Sequence, residues 1–241
     1  MYCSPGTHEA ALSLLQTTRS PTSGVLDLAA GTGAFLARLA DHDFTDLHAL
    51  ALNAEKFRLD AIHPVRVDLN SDFAASFDRQ FNLVTAIEII EHLDSPRHFL
   101  RQVHTLVSDG GHLLLSTPNV AHWAGRLRFL ASGELRFFDA DLYHRMRHIS
   151  PTTDLQMRLM LAETGFSIVA SLTAGAFFGP LTRALTAPLA VIFRIACGPT
   201  ALGDVRIYVA RKSEPDRSSP GMSAHYSSAR RARAVRPEQE P

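Results

Sequence analysis

Apolar residues in this chain gather in short runs separated by polar stretches of helical length. The run Val25-Leu26-Asp27-Leu28 ends at Ala29-Ala30-Gly31-Thr32-Gly33, and Phe35, Leu36 and Leu39 follow at helical spacing. This reads as strand, tight turn and helix. Ahead of it, Ala10, Ala11, Leu14 and Leu15 mark a short amphipathic helix that stops at Ser20-Pro21-Thr22-Ser23-Gly24. Further apolar runs at 47–52, 65–67, 81–87 and 112–116 predict strands, with helical patterns at about 54–60 and 96–107 between them. Ser150-Pro151 opens a helix over 153–164 that Gly165 stops, and 166–171 and 204–210 read as two more strands. Strands that alternate with helix-length connections predict an α/β fold, a Rossmann-like doubly wound sheet covered on both faces. Seven strands are expected.

Two connections are too long for plain loops. Residues 118–150 predict an insertion with helices of its own, of the kind that shapes a substrate site. Residues 172–203 form an apolar insertion whose formal charges are Arg183 and Arg194 alone. The uncharged run between them, 184–193, is about 10 residues, short of the ~20 that a spanning helix needs. Two short helices broken at Pro188 are expected there, able to lie in a membrane interface, cover the site or form a dimer contact. A domain over 1–212 and a disordered tail over 213–241 complete the expected organisation.

Composition narrows the class. The 241 residues carry 24 basic and 24 acidic side chains and are 46% hydrophobic, which excludes a disordered charged chain and a uniformly basic nucleic-acid binder. Cys3 and Cys197 offer neither a disulfide framework nor a cysteine zinc site. The first residues carry no signal pattern, so a cytoplasmic protein is expected.

The turn at Gly31 and Gly33 lets the backbone approach a ligand at the carboxyl ends of the strands. A dinucleotide fingerprint would require a third glycine at Leu36, which weighs against a pyrophosphate cofactor. The run Asp27–Gly33 resembles motif I of the class I S-adenosylmethionine-dependent methyltransferases. Phe81–Leu93 resembles their fourth strand and its exit, and Leu106–Asn119 resembles their helix, double-glycine turn and fifth strand with a Thr-Pro-Asn ending. The likeness covers about residues 22–170, and 203–212 resembles the last, antiparallel strand of the family.

This resemblance implies S-adenosylmethionine as cofactor. It assigns Asp27, Ala29, Gly31 and Gly33 to the methionine end, Asp68 and Leu69 to adenine, and Ile87 and Glu88 to the floor beneath the cofactor. The usual acidic ribose partner is replaced by Ala51, with Asn53 as a neutral substitute just beyond.

Glu88, Glu91 and His92 stand at i, i+3 and i+4, so a helical turn would project all three from one face. Two carboxylates and an imidazole suit a hard or borderline cation such as Mg2+, and equally a shaped pocket floor. The pattern resembles two Mg2+-assisted branches of the family, the ubiquinone-pathway O-methyltransferases and the small-RNA 2′-O-methyltransferases. In the RNA branch a further histidine completes the site, and His148 holds a comparable position. His92, His148 and Glu88 are the catalytic candidates, with either histidine as general base. His122 and His144 are expected to be solvated.

The insertion mixes Trp123, Phe137, Phe138 and Tyr143 with Arg126, Arg128, Arg145 and Arg147, which suits sugar, phosphate or nucleobase contacts and equally a small packed subdomain. It loosely resembles bacterial methyltransferases found with cell-envelope polysaccharide and glycolipid genes. The expected reaction is O-methylation of a small-molecule, sugar or glycolipid acceptor. RNA 2′-O-methylation and a non-catalytic membrane-associated scaffold are the alternatives. The charge balance is itself uneven: residues 1–110 hold 8 basic and 14 acidic side chains, and 111–241 hold 16 and 10. The acidic half suits a cationic sulfonium, the basic half an anionic acceptor or the inner face of a membrane.

Overall fold

In the computed structural model, which describes residues 4–213 apart from Phe177, the strands form one six-stranded sheet. Strand β1 (Ser23–Leu28) lies centrally, parallel to β2 (Thr45–Ala49) on one side and β3 (Phe81–Ala86) on the other. Strand β4 (Val107–Pro118) continues parallel to β3. The last strand, β6 (Val205–Lys212), inserts antiparallel between β4 and β5 (Phe166–Ala174). The order is therefore β2-β1-β3-β4-β6-β5, and the final strand is reversed, as the resemblance implies.

The seventh strand, expected at 65–67, is reduced to a single bridge between Leu50 and Val65. Its physical reason lies in the covering layer. The helix expected over 54–60 is only a 3-10 turn at Ala54–Lys56, so nothing shields the outer edge, and Val65 is 40% exposed. Phe57, Leu59 and Ile62 instead pack down against the core beside the glycine turn. Pro64, which has no N–H to give to a ladder, precedes the bridge.

Strand alternation sends apolar side chains to both faces. Leu26, Leu28, Val84, Leu113 and Leu115 meet Phe99, Leu100 and Val103 of α3 (Pro96–Leu106) and Met157 and Leu161 of α6 (Asp154–Glu163). Val25, Leu83, Leu114 and Val209 face the other way, onto Ala11, Leu14 and Leu15 of α1 (Thr7–Thr17) and Phe35, Leu36 and Leu39 of α2 (Ala34–Ala40). The two layers are the doubly wound arrangement the pattern implies.

The 118–150 insertion does contain helices, α4 (Trp123–Ser132) and α5 (Ala140–Met146). The apolar insertion differs from expectation. Its first residues extend β5 to Ala174, and α7 (Pro180–Cys197) then runs through Pro188 without a break, followed by a 3-10 turn at Pro199–Ala201. Proline has no N–H to give to the carbonyl of Ala184, one turn back. Ala184 is exposed, so water can serve that carbonyl and the helix goes on. The Asn119 amide closes the return to the sheet, donating to the carbonyls of Thr200, Leu202 and Gly203 at 2.8, 3.1 and 2.8 Å. Of the expected tail, Ser213 is held by its N–H on the Gly165 carbonyl at 2.8 Å, and 214–241 lie outside the described residues.

Candidate active site

The strand order reverses direction beside β1, and the loops at the carboxyl ends of β1, β2 and β3 surround a divided cavity. Backbone geometry at the turn after β1 creates it. Ala29 and Gly31 hold left-handed φ values of 63° and 58°, and the Gly33 N–H closes the turn on the Ala30 carbonyl at 2.8 Å. A Cβ on Gly31 would meet nothing nearer than the Ala29 carbonyl at 3.9 Å, so this glycine borders open space. Gly33 does not. Its Cβ would come within 3.0 Å of Leu59 and Phe57, so the missing side chain makes room for these two at the start of α2.

On one side of the turn lies a cavity of about 450 Å3 lined by Leu50, Leu52, Val67, Leu69, Ile89 and Leu93, with Asn53, Asp68 and Asn70 among its polar groups. On the other side a cavity of about 210 Å3 holds Asp27, Thr32, Ile87 and Glu88. Ala29 and Gly31 line both. The larger part is apolar enough for a flat heterocycle, with amides and a carboxylate near enough for hydroxyl groups. The smaller part presents two acidic side chains to a cation. Three contributors carry no local signal: His8 from α1 in the smaller cavity, and Met146 and Arg147 from the insertion in the larger one.

Asp27 is 3% exposed and accepts the Thr85 hydroxyl at 2.7 Å. Burial raises its pKa to about 7, against the lowering effect of that hydrogen bond. A cationic ligand beside it favours the ionised form. Below about pH 7 binding must first expel a proton, so cofactor affinity is expected to be greatest above pH 7 and to fall toward ten-fold per unit below it. Calorimetry across pH 5.5 to 8.5, on the order of one proton released per ligand at the acid end, checks this. Asp27→Asn is expected to flatten the profile.

The chemistry candidates divide between two places. Glu88, at φ 47°, belongs to the smaller cavity, and its Oε2 accepts the Ser4 N–H at 3.2 Å. It is therefore not grouped with the other three. Glu91, His92 and His148 each offer a ligand atom, all within 4.8 Å of one another. The expected four-residue set is a three-residue one, because the turn after β3 is a 3-10 turn at Ile90–His92 rather than α-helix and Glu88 precedes it.

The convergence of His148 with His92 has a visible cause. The Glu91 carbonyl accepts the N–H groups of both Ile149 and Ser150, at 2.9 and 3.0 Å, and the Ser150 hydroxyl donates to the Leu93 carbonyl at 2.5 Å. These bonds draw the end of the insertion onto the loop after β3. The two imidazoles meet edge to face at 4.8 Å between centroids. Nδ1 of His92 lies 2.7 Å from the Met146 carbonyl, and Nδ1 of His148 lies 2.7 Å from the Phe137 carbonyl. A carbonyl only accepts, so each Nδ1 carries the hydrogen and each Nε2 keeps its lone pair. Burial lowers both pKa values, which favours the neutral form of each ring.

Glu91 is 1% exposed, and its Oε2 has no hydrogen-bond partner among the described residues. Burial holds its carboxyl well above the usual range. A buried carboxyl oxygen without a partner beside two oriented lone pairs is a donor set that fits a divalent cation. His122 corrects the expectation of a solvated ring. It is buried, 3.0 Å from Arg136 and near Asp204, with burial pushing its pKa down to about 4. His144 is exposed beside Tyr143 and reaches neither cavity.

A cavity split between an apolar slot and an acidic one suits a ligand with a flat heterocycle at one end and a cation at the other. A family model described as a methyltransferase domain matches residues 5–171. The chain belongs to that family. It is 28% identical over 103 residues to a ubiquinone biosynthesis O-methyltransferase of Erwinia tasmaniensis, covering 39% of this chain and 42% of that protein. The chain thus matches less than half the length of that curated relative. Among solved structures, an S-adenosylmethionine-dependent methyltransferase of Archaeoglobus fulgidus superposes with a TM-score of 0.58 at 17% identity, over 86% of this chain and 95% of that one. Magnesium protoporphyrin IX methyltransferase of Synechocystis, solved with S-adenosylhomocysteine bound, gives 0.58 at 14% identity, over 86% and 82%. These two likenesses concern the fold.

Proposed function

We propose that the protein transfers the methyl group of S-adenosylmethionine to a hydroxyl oxygen of a small-molecule, sugar or lipid-linked acceptor. The observation that carries this reading is the pair of neutral imidazoles, each with Nε2 free to accept, converging on Glu91 at the border of the cofactor cavity. The likeness to ubiquinone-pathway O-methyltransferases supports it.

In this reading Asp27 and Glu88 balance the cationic end of the cofactor, and the apolar slot along Leu50 and Leu69 holds its adenine. Asn53 takes the place of the usual ribose carboxylate, as a neutral hydrogen-bonding group. His148 or His92 accepts the hydroxyl proton at Nε2 as the oxygen attacks the methyl in line. As an alternative to an imidazole base, Mg2+ held by Glu91 and the two Nε2 atoms would lower the pKa of the accepting hydroxyl so that its proton passes to water, since a coordinated Nε2 has no lone pair left to accept it.

The test is transfer of labelled methyl from S-adenosylmethionine into separated lipid, polysaccharide, RNA and small-molecule fractions, with and without chelator. Label in a methyl ether of a lipid, sugar or small molecule is the expected result, and loss of it with chelator would add the cation. Label confined to RNA would replace the reading with 2′-O-methylation. A protein that binds no S-adenosylmethionine would be a scaffold that has kept the fold.

A further inference from the structure

Helix α7 leaves more long apolar side chains in water than any other described element. Leu181, Leu185, Ile192 and Ile195 are 73, 75, 61 and 80% exposed. At 3.6 residues per turn these four positions fall on one stripe. Arg183 and Arg194 lie about three turns apart and therefore share a line, on the side of the helix away from that stripe. From Leu172 to Leu202 these two are the formal charges, with no acid among them. The inner side of the helix does not pack onto the sheet. It borders a cavity of about 550 Å3 lined by Trp123, Phe178, Arg183, Ala187 and Ala190.

By length and composition α7 could cross a bilayer, but its connections forbid it. Ala174 at the end of β5 is paired with Val205 at the start of β6, so the chain leaves the sheet and returns to it at the same place. A crossing helix would leave one end on the far side, and a connection without regular backbone bonds would have to come back through hydrocarbon. The arginines add a second obstacle. Their separation along the axis is ~16 Å, about half the hydrocarbon thickness, so a spanning helix would bury at least one of them.

We propose that α7 lies flat in the interface of an anionic lipid bilayer, its Leu181–Ile195 stripe among the acyl chains and Arg183 and Arg194 at the level of the lipid phosphates. Charge complementarity selects this occupant: a two-sided helix with arginine as its sole charge matches an anionic surface. The sequence beyond the domain has the same sign, with five arginines and no acid from Arg217 to Arg236. The inference concerns where the protein sits and is independent of which acceptor it methylates.

The full chain is tested by sedimentation with phosphatidylcholine vesicles, with and without phosphatidylglycerol, at low and high salt. Binding that requires phosphatidylglycerol, weakens with salt and falls at least ~10-fold in the double variant Leu185→Asp, Ile192→Asp is the expected result. Both positions are exposed, and calorimetry with S-adenosylmethionine confirms that the variant is folded. A chain that stays in the supernatant overturns the proposal. So does undiminished binding by the double variant, which would assign the contact to the arginine-rich tail. A dimer that the double variant dissociates, with no vesicle binding by the parent, would give the stripe to a second copy of the chain.

Discussion

Gly31→Arg is expected to weaken S-adenosylmethionine binding by more than ~100-fold, about 2.7 kcal/mol, with little change in thermal stability. Gly31 borders both parts of the cavity, and its missing Cβ faces open space rather than protein. A side chain there meets the ligand before it meets the fold. The left-handed φ of 58° adds a backbone cost on the order of 1 kcal/mol. Gly33→Ala separates the two roles of the glycines. Its Cβ would press on Leu59 and Phe57 at 3.0 Å with φ at 85°, so it is expected to lose stability first and affinity only as a consequence. Calorimetry with the cofactor and a thermal melt on each variant decide the matter. Gly31→Arg that still binds within a few-fold of the parent would show that the cofactor lies elsewhere.

The second large effect is expected at His148. Replacement by alanine should lower methyl transfer by ~10²- to 10⁴-fold, the usual contribution of a positioned acid or base. His148 lines neither part of the cofactor cavity, so cofactor affinity should hold. Asparagine tests the role of Nε2 directly. Its amide can still donate to the Phe137 carbonyl, as Nδ1 does at 2.7 Å, but it offers nothing where Nε2 stood. Asparagine as damaging as alanine would assign the loss to that lone pair. Recovery by asparagine would reduce His148 to a group that holds the insertion in place. Because His92 faces the same point, removing both rings is expected to cost little more than removing one.

Much of the architecture is legible because it depends on local periodicity. The alternation in β3 and β4 that sends Leu83 and Leu114 to one face and Val84, Leu113 and Leu115 to the other is written in the order of residues. So is the turn of Asp27–Gly33, where small residues are required for the backbone to reverse. The strand expected at 65–67 does not form because an edge strand needs a covering layer, and whether 54–60 becomes a helix is decided by packing rather than by its own pattern. Proline at 188 suggests a break. On an exposed helix the carbonyl it leaves without a partner can be served by solvent, so the helix continues.

The site shows the same division. Asp27, Ala29, Gly31, Asn53, Asp68, Leu69, Ile87 and Glu88 all line the cavity the motifs indicate, since each follows directly from a strand end. The separation of Glu88 from Glu91 and His92 depends on whether the turn after β3 is α or 3-10, a difference of one hydrogen-bond register. His122 reads as a ring in a polar loop, and only the return of the chain at Asp204 encloses it with Arg136.

By itself, then, the sequence determined the doubly wound sheet, the glycine turn and the residues at the strand ends, because each rests on periodicity or on backbone geometry within a few residues. The tertiary structure decided which distant groups meet. His148 reaches His92 through two N–H groups donated to the Glu91 carbonyl, and α7 shows its apolar stripe to solvent because both its ends are tied to one pair of strands. Neither contact has a local signature, since each is fixed by where the rest of the chain closes.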